Sequence, residues 1–162
     1  MFREATETDL PGILDIMNEA IENTTAIYDY NPRSYEYVVD WYFKKKSENM
    51  PVFVCASEDQ TIGYGTYGIF RSWDAYKFSV EHSIYVHKDY RGNGIGKVLM
   101  THLINQAKKD GFHTMIAGID ALNVNSCKFH EQFGFFEVAR FKEVGFKFNK
   151  WLDLVFMQLM LE

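Results

Sequence analysis

Residues 78–109 read FSVEHSIYVHKDYRGNGIGKVLMTHLINQAKK, and this stretch decides the fold. Its first part, residues 78–86, is apolar and β-branched, which predicts a strand. The pattern of residues 94–109 predicts a helix, because apolar side chains recur there at helical spacing. Glycines occupy alternate positions in the turn between these two elements. The sequence therefore predicts a strand, a glycine-rich turn and a helix in direct succession.

The turn has the chemistry of an anion site. Glycines leave room for an anion to approach backbone N–H groups, and a helix N-terminus adds partial positive charge. The spacing is GxGxG, which matches neither a Walker A loop nor the GxGxxG dinucleotide pattern. We expect a phosphate-bearing cofactor to contact the whole turn: Arg91, Gly92, Asn93, Gly94, Ile95, Gly96 and Lys97.

The rest of the chain predicts one α/β domain over residues 1–162, with a mixed, largely antiparallel sheet flanked by helices. Further helices are expected from Thr8 or Asp9, from Ser34 to about residue 46, and from Asn125 or Ser126 to about residue 133. The other strands are expected at residues 2–6, 51–56, 62–70, 113–119, 135–141 and 152–161.

Composition excludes several classes of protein. A net charge of −5 argues against a dedicated nucleic-acid binder. The two cysteines form no CxxC pair, so neither a disulfide framework nor a zinc site is expected. No apolar run reaches the ~18 residues of a membrane span, and the N-terminus lacks the apolar stretch of a signal peptide. His82 and His87 have opposite strand parity, so no metal is expected. We expect a cytoplasmic protein without nucleic-acid or membrane partners.

Several segments together resemble one known family. Residues 91–96, RGNGIG, resemble the (Q/R)xxGx(G/A) signature of the GNAT family of N-acetyltransferases. Its phosphinothricin and methionine sulfone or sulfoximine acetyltransferase branch, which is associated with antibiotic and herbicide resistance, is resembled by further segments: NTT at 23–25, VEHSIYV at 80–86, NVNS at 123–126, HEQFGF at 130–135 and GFKFNKWLD at 145–153. The resemblance implies a GNAT fold, acetyl-CoA as cosubstrate and a homodimer.

Acetyl transfer to an amine needs a base, a polarised thioester oxygen and a proton for the leaving thiolate. The resemblance places the base at Glu81, whose alternative role is an exposed strand glutamate. It also aligns the acetyl-pantetheine arm with Ile84, Tyr85 and Val86. His130 stands where many relatives carry a tyrosine, so it is either the proton donor or a structural histidine.

The turn before the last helix has a second implied role. The resemblance implies that Asn123 and Ser126 contact the pantetheine arm, although both residues are also good helix caps.

Candidate acceptor-binding residues lie in two loops, at residues 25–30 and 70–76. Arg71 is suited to bind a carboxylate with paired hydrogen bonds, and its alternative role is a solvated charge. The aromatic candidates, which otherwise belong to the core, are Tyr28, Phe70, Trp73 and Tyr76.

The resulting expectation is an enzyme that moves acetyl from acetyl-CoA to the amino group of a small amino acid or analogue. Phosphinothricin, methionine sulfone and methionine sulfoximine are the expected kinds of acceptor. A protein N-terminal acetyltransferase and a non-catalytic acetyl-CoA sensor remain open alternatives. A retained base argues against the sensor, because binding alone needs no base.

Overall fold

The computed structural model describes residues 1–58 and 60–162, which form a seven-stranded sheet and four α-helices. The strands are β1 (Phe2–Glu4), β2 (Val52–Ser57), β3 (Gln60–Ile69), β4 (Ser79–Val86), β5 (Thr114–Asp120), β6 (Phe136–Lys147) and β7 (Lys150–Met160). The helices are α1 (Leu10–Asn23), α2 (Tyr35–Ser47), α3 (Ile95–Lys109) and α4 (Val124–Glu131).

The sheet has the strand order β1-β2-β3-β4-β5-β7-β6. Its neighbours pair antiparallel except β4 and β5, which are parallel. This confirms the α/β class and the mixed, largely antiparallel sheet. Two hydrophobic clusters complete the fold: one includes buried residues of α1 and α2, and the other includes buried residues of α3.

The parallel pair β4–β5 separates part-way along its length. In the described part of the chain, ladder pairs join Ser79–Glu81 only to Thr114–Ile116. Beyond that point β4 stays paired to β3 as far as Val86, while β5 stays paired to β7 as far as Asp120. A wedge-shaped gap therefore opens between the two strands at the centre of the sheet, beside the edge of β4.

Glycines in β3 allow α3 to lie close to the sheet. A Cβ on Gly63 would stand 2.8 Å from Cγ2 of Ile95, and one on Gly65 would stand 3.0 Å from Cδ1 of Leu103. Close approach is possible only because these side chains are absent. The first turn of α3 is thereby held near the end of β4.

The last two strands are longer than the sequence pattern predicts. The strand expected to end at residue 141 continues to Lys147, because a bulge between Phe141 and Gly145 absorbs the irregular residues. Phe148 and Asn149 then make the hairpin turn with φ of 52° and 58°. Both residues of such a two-residue turn need positive φ, and Phe gives no signal for it.

The start of α4 also differs from the prediction. Asn123 is the N-cap, and its side chain accepts a hydrogen bond from the Ser126 N–H. The cap predicted at Asn125 or Ser126 is therefore displaced to the earlier of two asparagines, either of which suits the position.

The tip of the β6–β7 hairpin grips the segment after α1. Lys147 is buried, and its ammonium donates to the carbonyls of Ile21, Thr24 and Ile27 at 2.5, 2.7 and 2.6 Å. The Tyr30 hydroxyl donates to the Phe146 carbonyl. These bonds satisfy carbonyls at the end of α1 and fix the loop that follows. None of the described helices is long and apolar enough to span a membrane.

Candidate active site

A cavity of about 260 Å³ occupies the gap between β4 and β5. Residues 81–85 of β4 form one wall and residues 117–120 of β5 form the other. The remaining lining side chains come from the loop after α1, from α4 and from β7: Thr25, Ala26, Tyr28, Asn123, Ser126, His130, Leu154 and Phe156. The separated strands β4 and β5 thus create this cavity.

Glu81 lies on β4 at the point where the strands separate. A Cβ on Gly118 would stand 3.1 Å from Oε1 of Glu81, so the absent side chain makes room for the carboxylate. Gly68 is the antiparallel partner of Glu81 on β3. Burial raises the pKa of Glu81, and the positive charge of Arg71 opposes that rise. A carboxylate with a raised pKa at a cavity wall is a stronger proton acceptor than an exposed one.

Two buried histidines meet on the other face of β4. His82 and His130 are 8% and 5% exposed, and their Nε2 atoms lie 3.0 Å apart. His130 Nδ1 lies 2.6 Å from the Ser126 carbonyl, which can only accept, so Nδ1 carries the proton. Neutral His130 then accepts at Nε2, which makes His82 the donor there. His82 Nδ1 is left unprotonated, and it is buried without a hydrogen-bond partner among the residues that the structure describes.

This arrangement does not support His130 as a proton donor to the leaving thiolate. The one proton of neutral His130 is held by the Ser126 carbonyl. Burial lowers the pKa of His130 and lowers that of His82 to about 3, with a further lowering of the latter by His130. The pair is therefore neutral near pH 7, and the donor role stays a prediction.

The histidine pair should make stability sensitive to acid. The folded pKa of His82, about 3, lies below the ordinary value of 6.5. Its contribution is therefore present above pH 6.5 and lost as pH falls, because the unfolded chain takes up a proton that the folded chain does not. Wild type should lose about 1.4 kcal/mol of unfolding free energy per pH unit below 6.5 from this residue alone.

Denaturant unfolding between pH 7 and 4.5 measures this slope. We expect a shallower slope in His82→Gln, whose amide can still donate to His130. His113→Gln, at an exposed histidine, is the matched control and should keep the wild-type slope. Equal slopes in wild type and His82→Gln would contradict the assignment of buried neutral histidines.

The glycine-rich turn lies where β4 leads into α3. Gly92 and Gly94 have φ of 83° and 79°, a region that favours glycine, and a Cβ at either would meet nothing within 4 Å. The turn therefore presents open space directly before a 15-residue helix. The first N–H groups of a helix have no partner within it, so they are available to an anion.

The Arg91 side chain is bonded to two other parts of the protein. Its Nε donates to the Val86 carbonyl at 3.2 Å, and its Nη2 pairs with Glu19 at 2.6 Å. The side chain thus ties the turn to the end of β4 and to α1. The Lys97 side chain is exposed in the first turn of α3.

Across the gap, Asp120 organises the opposite wall. Its buried carboxylate accepts from the Thr25 hydroxyl at 2.5 Å and from the Leu122 N–H at 3.1 Å. Tyr28 lines the same region, and its buried hydroxyl has no hydrogen-bond partner in the described part of the chain. The loop after α1 is therefore bonded to one wall of the site by Asp120, and separately to the β6–β7 hairpin by Lys147.

The predicted acceptor-binding residues divide into two groups. Tyr28 lines the cavity, whereas Phe70, Arg71, Trp73 and Tyr76 do not. Phe70 contacts the cavity wall edge-to-face through Phe156, with ring centroids 5.8 Å apart. Trp73 and Tyr76 are 66% and 38% exposed, and their role in acceptor binding stays a prediction. They belong to an exposed loop that sequence alone does not distinguish from a pocket wall.

Several site residues were missed by sequence reasoning. His82 carries no signal for a site, because strand parity shows the face of a side chain but not its partner. Asp120 had a weak signal, since it is a charge at the end of a strongly apolar strand. Gly118 gave none, because its role depends on Glu81 across the strand gap. Within the described residues, no three His, Cys, Asp or Glu side chains cluster as a metal site.

Comparison with known proteins places this architecture in a family. The sequence model of the Acetyltransferase (GNAT) family matches residues 13–135. The chain belongs to the GNAT family of acetyltransferases. It is 38% identical over 160 residues to an L-methionine sulfoximine/L-methionine sulfone acetyltransferase of Salmonella typhimurium, covering 99% of this chain and 94% of the relative. It is 30% identical to a phosphinothricin N-acetyltransferase of Streptomyces coelicolor, covering 96% and 93%.

Solved structures agree on the fold. A Salmonella typhimurium acetyltransferase solved with its cofactor acetyl-CoA has a TM-score of 0.97 and 37% identity, covering 100% of this chain and 94% of the other. A ribosomal-protein-alanine N-acetyltransferase of Brucella melitensis has a TM-score of 0.98 and 42% identity, covering 99% of each chain. The GNAT fold, the enzyme class and acetyl-CoA as the cosubstrate are therefore those expected from the sequence.

Proposed function

We propose that this GNAT enzyme acetylates the α-amino group of a small free amino acid, with Glu81 as general base. The observation that carries the proposal is the position of Glu81. It lies at the apex of the strand gap, is partly buried, pairs with Gly68 on β3, and has its carboxylate beside Gly118 of β5. The acceptors named for the relatives, methionine sulfone, methionine sulfoximine and phosphinothricin, are amino acids of this kind.

The residues present fit acetyl-CoA. Open space at Gly92 and Gly94 and the N-terminus of α3 suit the pyrophosphate. The unpaired edge of β4 beyond Glu81 offers backbone N–H groups that suit a thioester carbonyl. Asn123 and Ser126 line the gap between these places. When bound, acetyl-CoA supplies the activated acetyl group as a thioester.

The two sides of β4 separate the two reactants. Side chains alternate between the two faces of a strand, so Glu81, Ser83 and Tyr85 share one face. His82 and Ile84 lie on the other face, toward α3 and α4. We place the acceptor on the Glu81 face. Glu81 then takes the ammonium proton, directly or through water, and the β4 edge holds the carbonyl under attack.

Arg71 suits the carboxylate of the acceptor. It follows β3 next to Glu81, close enough for its charge to lower the pKa of that carboxylate. Its guanidinium lies over the Phe70 ring, with Cζ 5.2 Å from the centroid. If Arg71 binds the carboxylate of an amino acid, the neighbouring α-amino group lies beside Glu81.

Replacing Arg71 tests whether it binds the acceptor carboxylate. Arg71→Ala should raise KM about tenfold for a free amino acid but little for an amine without a carboxylate, since a hydrogen bond to a charged group is worth about 1.5–3 kcal/mol and this side chain is exposed. The acid limb of the rate profile should also move to higher pH, because the lowering of the Glu81 pKa is lost. Lys77→Ala, at an exposed lysine on the same loop, is the control. Equal KM changes for both substrates would show that Arg71 does not bind the acceptor carboxylate.

The direct test of function is thiol release from acetyl-CoA across a panel of acceptors. The panel includes free amino acids, methionine sulfone, phosphinothricin and peptides with an N-terminal alanine. We expect turnover with free amino acids. Turnover confined to peptides would favour the second candidate, a protein N-terminal acetyltransferase, which the similarity to the Brucella melitensis enzyme supports. Acetyl-CoA binding without turnover on any acceptor would favour a sensor.

A homodimer and a cytoplasmic location complete the proposal. Eight apolar side chains of the β6–β7 hairpin are exposed: Phe136, Val138, Phe141, Val144, Phe146, Phe148, Trp151 and Met160. Exposed apolar side chains in this number on one hairpin suit a surface that is covered by a second copy of the chain. The two free cysteines suit a reducing compartment.

Light scattering tests the assembly. We expect a mass twice the 19.0 kDa of the chain, and dissociation in Trp151→Lys. A monomer at micromolar concentration in wild type would exclude the dimer.

A further inference from the structure

A second cavity adjoins the first on the acceptor face of β4. It has a volume of about 150 Å³ and lies between α1, α2, β3, β4 and the loop after α1. We call it the aromatic chamber, after the four aromatic side chains among its eleven lining residues. The lining residues are Met17, Ile21, Ile27, Asp29, Arg33, Tyr37, Trp41, Tyr64, Thr66, Ser83 and Tyr85.

Four aromatic side chains contribute to the walls of the aromatic chamber, and three of them are in contact with one another in sequence. Trp41 meets Tyr64 edge-to-face with centroids 6.0 Å apart, and Tyr64 lies 5.3 Å from Tyr85. Tyr64 is buried, and burial raises the pKa of Tyr85 to about 12, so both rings stay neutral. Such walls favour an uncharged ligand with apolar surface.

The chamber lies beside the proposed reaction site. Ser83 and Tyr85 line both cavities. Successive residues on one face of a strand lie about 7 Å apart, so Ser83 is one such step from Glu81. An amino acid whose amine is at Glu81 and whose carboxylate is toward Arg71 therefore has the chamber in reach of its side chain.

The two charged side chains at the chamber form an ion pair with each other. Arg33 lies over the Tyr37 ring, with Cζ 4.5 Å from the centroid, and forms an ion pair with Asp29. Both charged residues line the chamber. A negatively charged side chain would thus meet a cation that has a partner and an aspartate that repels it.

We propose that the aromatic chamber binds the side chain of the acceptor amino acid, and that the Asp29–Arg33 pair makes it select an uncharged side chain over an anionic one. This inference rests on the proposed function, and it assigns the side-chain preference to α2 and the loop after α1 instead of the loop at residues 70–76.

Size selection is tested by Trp41→Ala, with Phe43→Ala as the matched control. Phe43 is on the same helix but is exposed and does not line the chamber. In Trp41→Ala, kcat/KM for L-methionine sulfone should fall about tenfold, while kcat/KM for L-alanine stays within about twofold, because only the longer side chain enters the chamber. The control should leave the ratio unchanged.

Charge selection is tested with the isosteric pair L-glutamine and L-glutamate. Wild type should prefer glutamine. Asp29→Asn frees the charge of Arg33 and should shift the ratio toward glutamate about fivefold, the low value reflecting partial exposure of the pair. Asp40→Asn removes the same charge from an exposed position on α2 and controls for long-range effects.

The outcomes separate this inference from the proposed function. Turnover of amino acids with no selective change in Trp41→Ala would overturn the chamber alone. Unchanged glutamine preference in Asp29→Asn would overturn the role of the ion pair. Absence of amino-acid turnover in wild type, together with no binding of methionine sulfone by calorimetry, would overturn both. Calorimetry also reports chamber binding independently of catalysis, and Trp41→Ala should weaken it.

Discussion

Glu81→Gln should lower kcat by about 10²–10⁴-fold while leaving acetyl-CoA affinity unchanged. The amide keeps the size of the carboxylate but cannot accept the ammonium proton, and removal of a general base costs this much in rate. The glycine-rich turn is distant in the fold from this substitution, so cofactor binding should survive. Stopped assays of turnover and calorimetry of acetyl-CoA binding give the two quantities.

The pH profile distinguishes chemistry from structure. Because burial raises the pKa of Glu81, the wild-type rate should rise through a limb above the ordinary value of 4.5. In Glu81→Gln that limb should vanish and leave only the titration of the acceptor amine. Glu137→Gln, at an exposed glutamate paired with Arg140, is the control. A folded Glu81→Gln enzyme with near-normal turnover and the wild-type profile would exclude the base role.

Gly118→Ala tests the position of the same carboxylate without removing it. Its Cβ would stand 3.1 Å from Oε1 of Glu81, so the carboxylate must move. A reduced rate with a retained pH limb is the expected signature of a displaced base.

Gly94→Trp should weaken acetyl-CoA binding by about 100-fold or more. The indole would occupy the open space before α3, and loss of two charge-assisted hydrogen bonds at about 1.5–3 kcal/mol each accounts for this factor. The substitution also strains the backbone, because φ at this position is 79°. Calorimetry of acetyl-CoA binding to the folded variant gives the measurement.

Gly111→Trp isolates that strain. Gly111 follows the other end of α3, has φ of 80°, and also faces open space. It should therefore cost similar stability while leaving cofactor affinity intact. Equal loss of affinity in both variants would mean that α3 is merely destabilised and that the turn does not bind the pyrophosphate.

Local pattern was sufficient for most of the fold. The strand and helix on either side of the glycine-rich turn lie within a residue of their predicted limits, because periodicity and glycine both act over a few residues. The predicted β6–β7 hairpin is too short, because its bulge and its Phe148–Asn149 turn depend on pairing across strands.

The site was less accessible from sequence than the fold. Glu81 and the turn carry local signals, and the structure places Glu81 at a cavity wall, whereas its role as the base stays a prediction. The neutral His82–His130 pair depends on which residues meet across 48 positions of sequence. The aromatic chamber combines residues from five elements and from no single motif. Sequence reasoning therefore names candidate residues but not the shape of the cavities that surround them.

The grip of Lys147 on the segment after α1 has a thermodynamic consequence for an assembled enzyme. The hairpin that exposes the apolar surface also fixes the loop whose residues line both cavities. If subunit association orders this hairpin, it also orders the acceptor pocket. By reciprocity, acceptor binding would then tighten association by the same factor. Saturation with acceptor would lower the dimer dissociation constant, so the quaternary state would respond to metabolite concentration.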